Sequence, residues 1–391
     1  MSTDACHIAM RHLHDTMREL SRMDERRPLS GQTILELARP GGSEVTARAV
    51  ALAGRIAADF GATVIKAEPA DGDALRRTGP FIAGADGRPE SATFVFLNGG
   101  KRSLRLPEGS QGRSLLTALS GQMSAVLTDD REALGSVLGS VPVRMMVEHG
   151  VPAAMPDARV SDTTVLAASG ILDLVGRPDA APVALGGHQA SYVAGLAAFS
   201  GLAAALAGRD LGADSETITV SATEACLWAN WKSFAEKLYL GRGPTREGRL
   251  AEWQAFPCTD GHAVLVYLDR DWPLVVRLIG DERLARPDLQ TREGRRANMA
   301  EISKIVQPWF AVRSRKEVFA LAKAAGLPIA PVIGVHELLA DAQYAAQRFF
   351  ARPSSSNCGE LWQVPTVPTV WNGRRFAPVA TQDGDAPGAA I

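Results

Sequence analysis

Residues 33–67 constrain the fold more than any other part of the chain. They read as an apolar strand, TILELA, then a loop, Arg39-Pro40-Gly41-Gly42-Ser43-Glu44, then a helical run to Gly61, then a second strand, Thr63–Ala67. The helical run places Val45, Ala49, Leu52, Ile56 and Phe60 at spacings of three and four, which gathers them on one face. A strand, a glycine-containing loop, a helix and a second strand form a βαβ unit, whose right-handed crossover makes the strands parallel neighbours in one sheet. The expected class is therefore α/β, with a Rossmann-like large domain built on a parallel sheet.

The alternation continues. TFVFLN (93–98) reads as a strand, 110–120 as a helix, and 124–128 and 141–148 as strands. A helical stretch starts just after Asp162, and SETITVSA (215–222) is a strand followed by one helix from Thr223 to Leu240. Beyond a basic, Gly-rich connection at 241–249, FPCTDGHAVLVYL reads as a hairpin turning at Asp260-Gly261. Helical segments at 272–281, 297–312 and 315–325 complete a smaller α+β domain spanning 241–335. The domain plan is an N-terminal extension (1–27), the first part of the large domain (28–240), the small domain, and a return segment with a flexible tail (336–391).

Charge limits the partners. The 391 residues carry 42 Lys+Arg against 43 Asp+Glu, a net of −1, so no basic field exists to hold nucleic acid or an anionic membrane. An anionic ligand must be met by local groups. The four cysteines include no CxxC pair, which excludes a zinc knuckle or disulfide framework and fits a reducing cytoplasm. His7, His12 and His14 lie in a polar N-terminal extension with no apolar core of a secretory signal, and no metal site is expected there. From Ala180 to Gly208 there is no charged side chain, but the stretch is mostly Ala, Gly and Ser. A buried helix closely approached by its neighbours fits it better than a membrane span.

Several groups could carry chemistry. The loop Arg39–Glu44 meets a helix N-terminus, where backbone N–H groups can hold phosphate, although it is not GxGxxG and glycines after a strand also serve simply as turns. Lys101 and Arg102 follow two glycines after the strand expected at 93–98, a placement suited either to phosphate or to a solvated turn. His188, Gln189, Ser191 and Tyr192 cluster just before and within the charge-free helix, as a nucleophile and base or as helix capping. Asp162 reads as an acid or base, or as the N-cap of the helix that follows it; the cap is favoured. Cys226, on an apolar helix, reads as core.

The segments PLSGQTILELAR, IAADFGATVIKAEPADGDALRRTGP, FLNGGKRSL, SGILDLVGRPDAAPVALGG, YVAGLAAFSGLAAALAGR and PCTDGHAVLVYL, in this order, closely resemble the family III CoA-transferases, the CaiB/BaiF or formyl-CoA transferase group that includes α-methylacyl-CoA racemases. The resemblance implies a large Rossmann-like domain formed by both chain ends, a small domain inserted late, and a homodimer of interlocked rings. It also implies a coenzyme A thioester as substrate and no metal. By that resemblance the loop Arg39, Gly41, Gly42 and Ser43 falls in CoA-contacting regions, as do Lys66, Asn98, Lys101 and Arg102.

In the family's transferases an Asp before the buried helix attacks the donor thioester. Aligned without gaps from either side, Ser191 stands at that position, and of the racemase His-Asp pair, falling at Ser161-Asp162, only the Asp is kept. Leu127-Thr128-Asp129-Asp130-Arg131-Glu132 replaces the family's CoA-covering loop with adjacent acids. These departures lead to three expectations. The first is an acyl-CoA enzyme with altered chemistry, such as isomerisation, elimination or hydration, using His188 as base with Ser191, Gln189 and Tyr192 around it. The second is ordinary CoA transfer through another carboxylate such as Asp162, Asp173 or Glu224. The third is a non-catalytic or non-CoA assembly protein.

Overall fold

The computed structural model describes residues 27–84, 87–151, 160–177, 179–241, 243, 252–352, 363–373, 375–377 and 382–383. His7, His12 and His14, most of the basic connection at 241–249 and most of the C-terminal stub lie outside the described residues. The chain forms two compact units, one comprising residues up to Asp173, Val183–Gly243 and Ala345 onward, the other Leu174–Pro182 with Pro244–Tyr344.

In the first unit the strands are β1 (Thr33–Leu37), β2 (Thr63–Glu68), β3 (Arg102–Arg105), β4 (Ala125–Thr128), β5 (Val143–Glu148) and β6 (Glu216–Ser221), with β10 (Gln382–Asp383) at one edge. All pairings are parallel, in the order β10-β3-β2-β1-β4-β5-β6. Setting β10 aside, this is the 3-2-1-4-5-6 order of the dinucleotide-binding folds, whose direction reverses between β1 and β4. On one face, Ile34, Val64, Leu127 and Met145 pack with Val45, Ala49 and Ala53 of helix α1 (Glu44–Asp59) and Ala194, Ala198 and Leu202 of helix α5 (Gln189–Asp210). On the other, Leu35, Ile65, Val126 and Met146 pack with Leu116 of helix α3 (Ser110–Ser120).

By length and composition, α5 could cross a membrane. Its small residues instead admit α1: a Cβ on Gly195 would lie 2.9 Å from Leu52 Cβ and 3.0 Å from the Ala49 carbonyl oxygen.

Two elements differ from expectation. Residues Ala92–Asn98 form a helix, α2, not a strand. Ser91 caps it by accepting the Phe94 N–H, Asn98 Nδ2 donates to the Phe94 carbonyl, and Phe94 and Leu97, three apart, are both buried. A six-residue apolar run fits either period, and the cap decides. Lys101 consequently precedes β3 and Arg102 opens it, neither following a strand. The helix expected over 223–240 is broken at Asn230 into α6 (Ala222–Ala229) and α7 (Trp231–Leu240).

The second unit has the expected hairpin, β7 (Gln254–Cys258) with β8 (Gly261–Leu265), to which β9 (Ala330–Pro331) is added antiparallel. Helices α8 (Trp272–Ile279), α9 (Met299–Ala311) and α10 (Arg315–Ala325) contribute to its core around Phe256, Trp272, Phe310 and Val318. The unit also takes in 174–182, which the sequence did not indicate, and the chain leaves it at 344 instead of 335.

Beneath α1 lies a closed charge cluster. Glu36, in β1, meets Lys66 Nζ at 2.8 Å and Lys101 Nζ at 2.6 Å; Lys66 also meets Asp73 at 2.7 Å, and Lys101 donates to Asn98 Oδ1 and the Ala51 carbonyl. Burial lowers the pKa of both lysines, but the flanking carboxylates reverse this for Lys66, leaving it above its ordinary value. Lys101, which shares only Glu36 and is repelled by Lys66, is pulled down to about 7. Gly54 makes room for the cluster, since a Cβ there would overlap Glu36 Oε2.

Between pH 7 and the unfolded lysine value near 10.4, the unfolded chain holds a proton that folded Lys101 lacks. Unfolding free energy should therefore rise across that window by up to about 1.4 kcal/mol per pH unit. Urea denaturation of the native protein should show this slope, and Lys101→Met should lose it. Gly54→Ala should cost about 2–4 kcal/mol, because displacing the Glu36 carboxylate weakens its pairing with the buried Lys66 ammonium.

Candidate active site

The two ends of the first α/β turn meet at the reversal between β1 and β4. A cavity of about 350 Å³ opens there, lined by Arg39, Gly42, Ser43 and Thr46 from the first loop and α1, Asp129 and Arg131 after β4, and Met146–Val151 at the end of β5. This is the ligand-binding crevice of open α/β sheets. Its phosphate-binding capacity is reduced from within. Asp129 Oδ1 accepts the Arg39 N–H at 2.6 Å and its Oδ2 accepts the Thr46 hydroxyl at 2.6 Å, so an internal carboxylate lies against the loop expected to bind an anion. Burial raises the Asp129 pKa. Gly41 has φ +69°, a turn conformation suited to glycine, and at Gly42 an added Cβ would lie 3.1 Å from the Arg39 carbonyl oxygen. Ser43 caps α1 by accepting the Val45 N–H and donates to the Val160 carbonyl, so its hydroxyl is occupied.

Lys66, Asn98 and Lys101, expected in CoA-contacting regions, are each at most 1% exposed and bonded within the charge cluster, so their side chains present nothing to a ligand. A buried ion pair gives up its partner only at a cost of several kcal/mol. Arg102 is half-buried at the start of β3.

The second group of expected residues converges on one carboxylate. Helix α4 (Asp162–Ala168) is capped by Ser161, in a capping box with Thr164. This corrects the reading of Asp162 as the N-cap. It is the first helical residue, and its side chain turns away to α5. Asp162 Oδ1 accepts the Ser191 backbone N–H at 2.8 Å, and the Ser191 hydroxyl lies 3.0 and 2.9 Å from its two oxygens. Because Ser191 is in the first turn of a 22-residue helix, the carboxylate also sits at the positive end of the helix dipole. Arg48 Nη1, from α1, reaches Asp162 Oδ2 at 3.4 Å, and His188 Nδ1 stands 3.6 Å from the same oxygen.

The chemical roles follow from access. Ser191 is 0% exposed, whereas the Asp162 side chain retains 11% of its surface and that of His188 32%. Of the two side chains, only that of Asp162 retains accessible surface. Partial burial and the Arg48 charge hold His188 below the usual imidazole pKa, against the pull of Asp162. Tyr192 lies edge-on to His188 at 6.1 Å, its phenol pKa raised by burial. Gln189 is exposed and donates to the Gly186 carbonyl, away from the carboxylate. Asp173 and Glu224, the other carboxylates considered, are also exposed. Burial raises the Cys226 thiol to about 11, as befits a core residue. Arg48 was not among the expected site residues. It follows the loop by one helical turn, and only the packing of α1 on α5 brings it to Asp162. No group of three potential metal ligands occurs among the described residues.

Comparison with known proteins gives a consistent result. The family model for CoA-transferase family III matches residues 29–132 and 149–383. The succinate–glutarate CoA-transferase of Agrobacterium fabrum is 27% identical over 82% of this chain and 84% of its own. The mouse succinyl-CoA:glutarate CoA-transferase is 25% identical over 84% of this chain and 77% of its own. A CaiB/BaiF family protein from Brucella suis shares the fold with a TM-score of 0.75 at 24% identity, over 92% of this chain and 96% of that one.

The geometry makes His188 a reporter of its neighbours. Asp162→Asn should lower the His188 titration midpoint seen by NMR, and Arg48→Gln should raise it, since the carboxylate favours the imidazolium and the guanidinium opposes it. Ser191→Ala should cost about 1.5–3 kcal/mol in denaturant unfolding, through loss of the hydroxyl's hydrogen bond to a buried carboxylate.

Proposed function

This chain belongs to CoA-transferase family III, and on that premise we propose that it transfers CoA from an acyl-CoA thioester to a carboxylate acceptor, with Asp162 as the carboxylate that attacks. The observation that carries the reading is the placement of the Asp162 carboxylate on the hydroxyl and N–H of Ser191, the residue aligned with the family's attacking Asp. The carboxylate missing from α5 is thus supplied across the helix pair from α4. In this reading an Asp162 oxygen adds to the thioester carbonyl, the C–S bond breaks, and the acyl group is held as a mixed anhydride while CoA leaves as thiolate. Attack of that thiolate on the Asp162 carbonyl releases the first acid and leaves an enzyme-bound thioester. An acceptor carboxylate then repeats the sequence in reverse.

Ser191 and Arg48 act on that carboxylate without reacting. The Ser191 N–H and hydroxyl fix its orientation, and Arg48 offsets its charge. The cavity at the β1/β4 reversal is the proposed CoA-binding region, with Arg39 at its edge. The internal anion Asp129 favours an uncharged part of the ligand nearest the loop.

A homodimer completes the reading. Helix α7 has no buried residue, and Trp228, Trp231, Leu238 and Tyr239 are exposed on consecutive turns of α6 and α7. An apolar surface of this kind calls for a partner, and a second copy of the chain fits the family's assembly. A cytoplasmic setting fits the free thiols of Cys226 and Cys258.

A second reading keeps the acyl-CoA substrate and uses His188 as a base on its α-proton, favoured by the imidazole's lowered pKa and partial exposure. Incubation with acyl-CoA and hydroxylamine separates the two. Transfer predicts a hydroxamate at Asp162 by peptide mass spectrometry, and Asp162→Asn should lose at least about 10³-fold in kcat while remaining folded. Solvent deuterium entering the acyl α-carbon, lost in His188→Ala and without labelling of Asp162, would overturn transfer in favour of the second reading.

A further inference from the structure

The groups around Asp162 divide between its two oxygens. Oδ1 lies 2.8 Å from the Ser191 backbone nitrogen and 3.0 Å from the Ser191 hydroxyl, at the amino end of α5. Oδ2 faces Arg48 Nη1 at 3.4 Å and His188 Nδ1 at 3.6 Å. When sulfur takes the place of Oδ2 in an enzyme-bound thioester, Oδ1 is the carbonyl oxygen that remains. Ser191 then aims two donors and a helix dipole at the atom on which negative charge develops during attack on that carbonyl. His188 stands on the open side, its side chain 32% exposed, where Ser191 and Arg48 are buried. Its separation from Oδ2 is longer than a hydrogen bond and short enough for one water to touch both groups. CoA transfer makes no use of this imidazole.

We propose that the chain also hydrolyses acyl-CoA when no acceptor acid is present, with His188 as the base for a water that attacks the Asp162–CoA thioester and Ser191 as the donor to the oxyanion. The inference rests on Asp162 as the reacting carboxylate and adds a second activity to it. The water oxygen bonds to the Asp162 carbonyl carbon while one of its protons passes to His188. The C–S bond then breaks, and His188 returns that proton to the departing sulfur, giving the CoA thiol. The other proton leaves as the Asp162 carboxylate ionises. Since the donor's acid has already been released, the sum is acyl-CoA and water to acid and CoA. The charges around the imidazole suit this order of events. Asp162 and Glu44 favour its protonation, burial and Arg48 oppose it and prevail, and Tyr192, edge-on to it, keeps its phenol proton. Acylation removes the Asp162 charge, so His188 is a neutral base in the intermediate that water attacks.

The test incubates the full chain with acetyl-CoA, butyryl-CoA or succinyl-CoA in oxygen-18 water without an acceptor acid, and in parallel with hydroxylamine to find the probe that acylates Asp162. With that probe, thiol release should continue beyond one equivalent per chain, and oxygen-18 should accumulate at Asp162 by peptide mass spectrometry. In His188→Ala, hydrolysis relative to hydroxamate formation should fall at least about a hundredfold. In the native protein hydrolysis should be level around neutral pH and fall as acid protonates the imidazole, which checks the assignment even if His188→Ala folds poorly. Thiol release that stops at one equivalent, no oxygen-18 at Asp162, an unchanged ratio in His188→Ala, or a rate that does not fall in acid would overturn the proposal while an Asp162 hydroxamate left transfer standing. Absence of that hydroxamate with every probe would remove the reading of Asp162, and the proposal with it.

Discussion

The approach of α1 to α5 is the constraint on which the site depends. At Gly195 the two helices come so near that even a methyl group would strike Leu52 and the Ala49 carbonyl. This proximity allows Arg48 from one helix and Ser191 from the other to reach a single carboxylate. Larger side chains along α5 would move the helices apart by an ångström or more. That displacement exceeds what a hydrogen-bonded carboxylate tolerates, and it would affect orientation before it affected stability. The Ala- and Gly-rich composition of α5 is thus a requirement of the site as well as of the core.

Much of this was legible in the chain. The 3.6-residue period of α1, the strands on either side of it and the hairpin at Asp260-Gly261 are local signals, and the structure carries each of them. Residues 93–98 were not legible, because Thr, Phe, Val, Phe and Leu suit a strand by propensity, and the helix is decided by the Ser91 cap and by the burial of Phe94 and Leu97 on one side. The altered setting of Lys101 follows from the same difference, whereas Lys66 lies in its expected strand and is withdrawn by its ion pairs. Once 93–98 is a helix, Lys101 lies just before β3 and faces Glu36 instead of solvent. The site was half legible. Ser191, His188 and Asp162 were singled out, but their convergence depends on contacts across 29 residues of sequence, and Arg48 gave no local signal.

The first unit uses its charges internally to an unusual degree. Glu36, Lys66, Lys101 and Asp73 neutralise one another under α1, Glu68 is held below the ordinary carboxylate range, at about 2, chiefly by its hydrogen bonds to Arg76 and Ser103 against the cost of burial, and Asp129 satisfies the first loop. Buried ion pairs of this kind add little net stability over apolar packing, but removing one member is expensive, so they fix which arrangement of the sheet is adopted. With a net charge near zero, the chain has no overall field to draw a polyanionic ligand from a distance.

The division of the chain also bears on its biosynthesis. Val367 and Phe376 complete an apolar cluster with Leu52, Ile56, Phe60 and Leu97, and β10 completes the sheet beside β3. Those residues leave the ribosome only after the entire second unit has been made. At ordinary translation rates the outer face of α1 and one sheet edge therefore stay uncovered for on the order of tens of seconds, long enough for a chaperone to engage them. A nascent chain arrested near residue 340 would be expected to present that incomplete surface as a sticky intermediate.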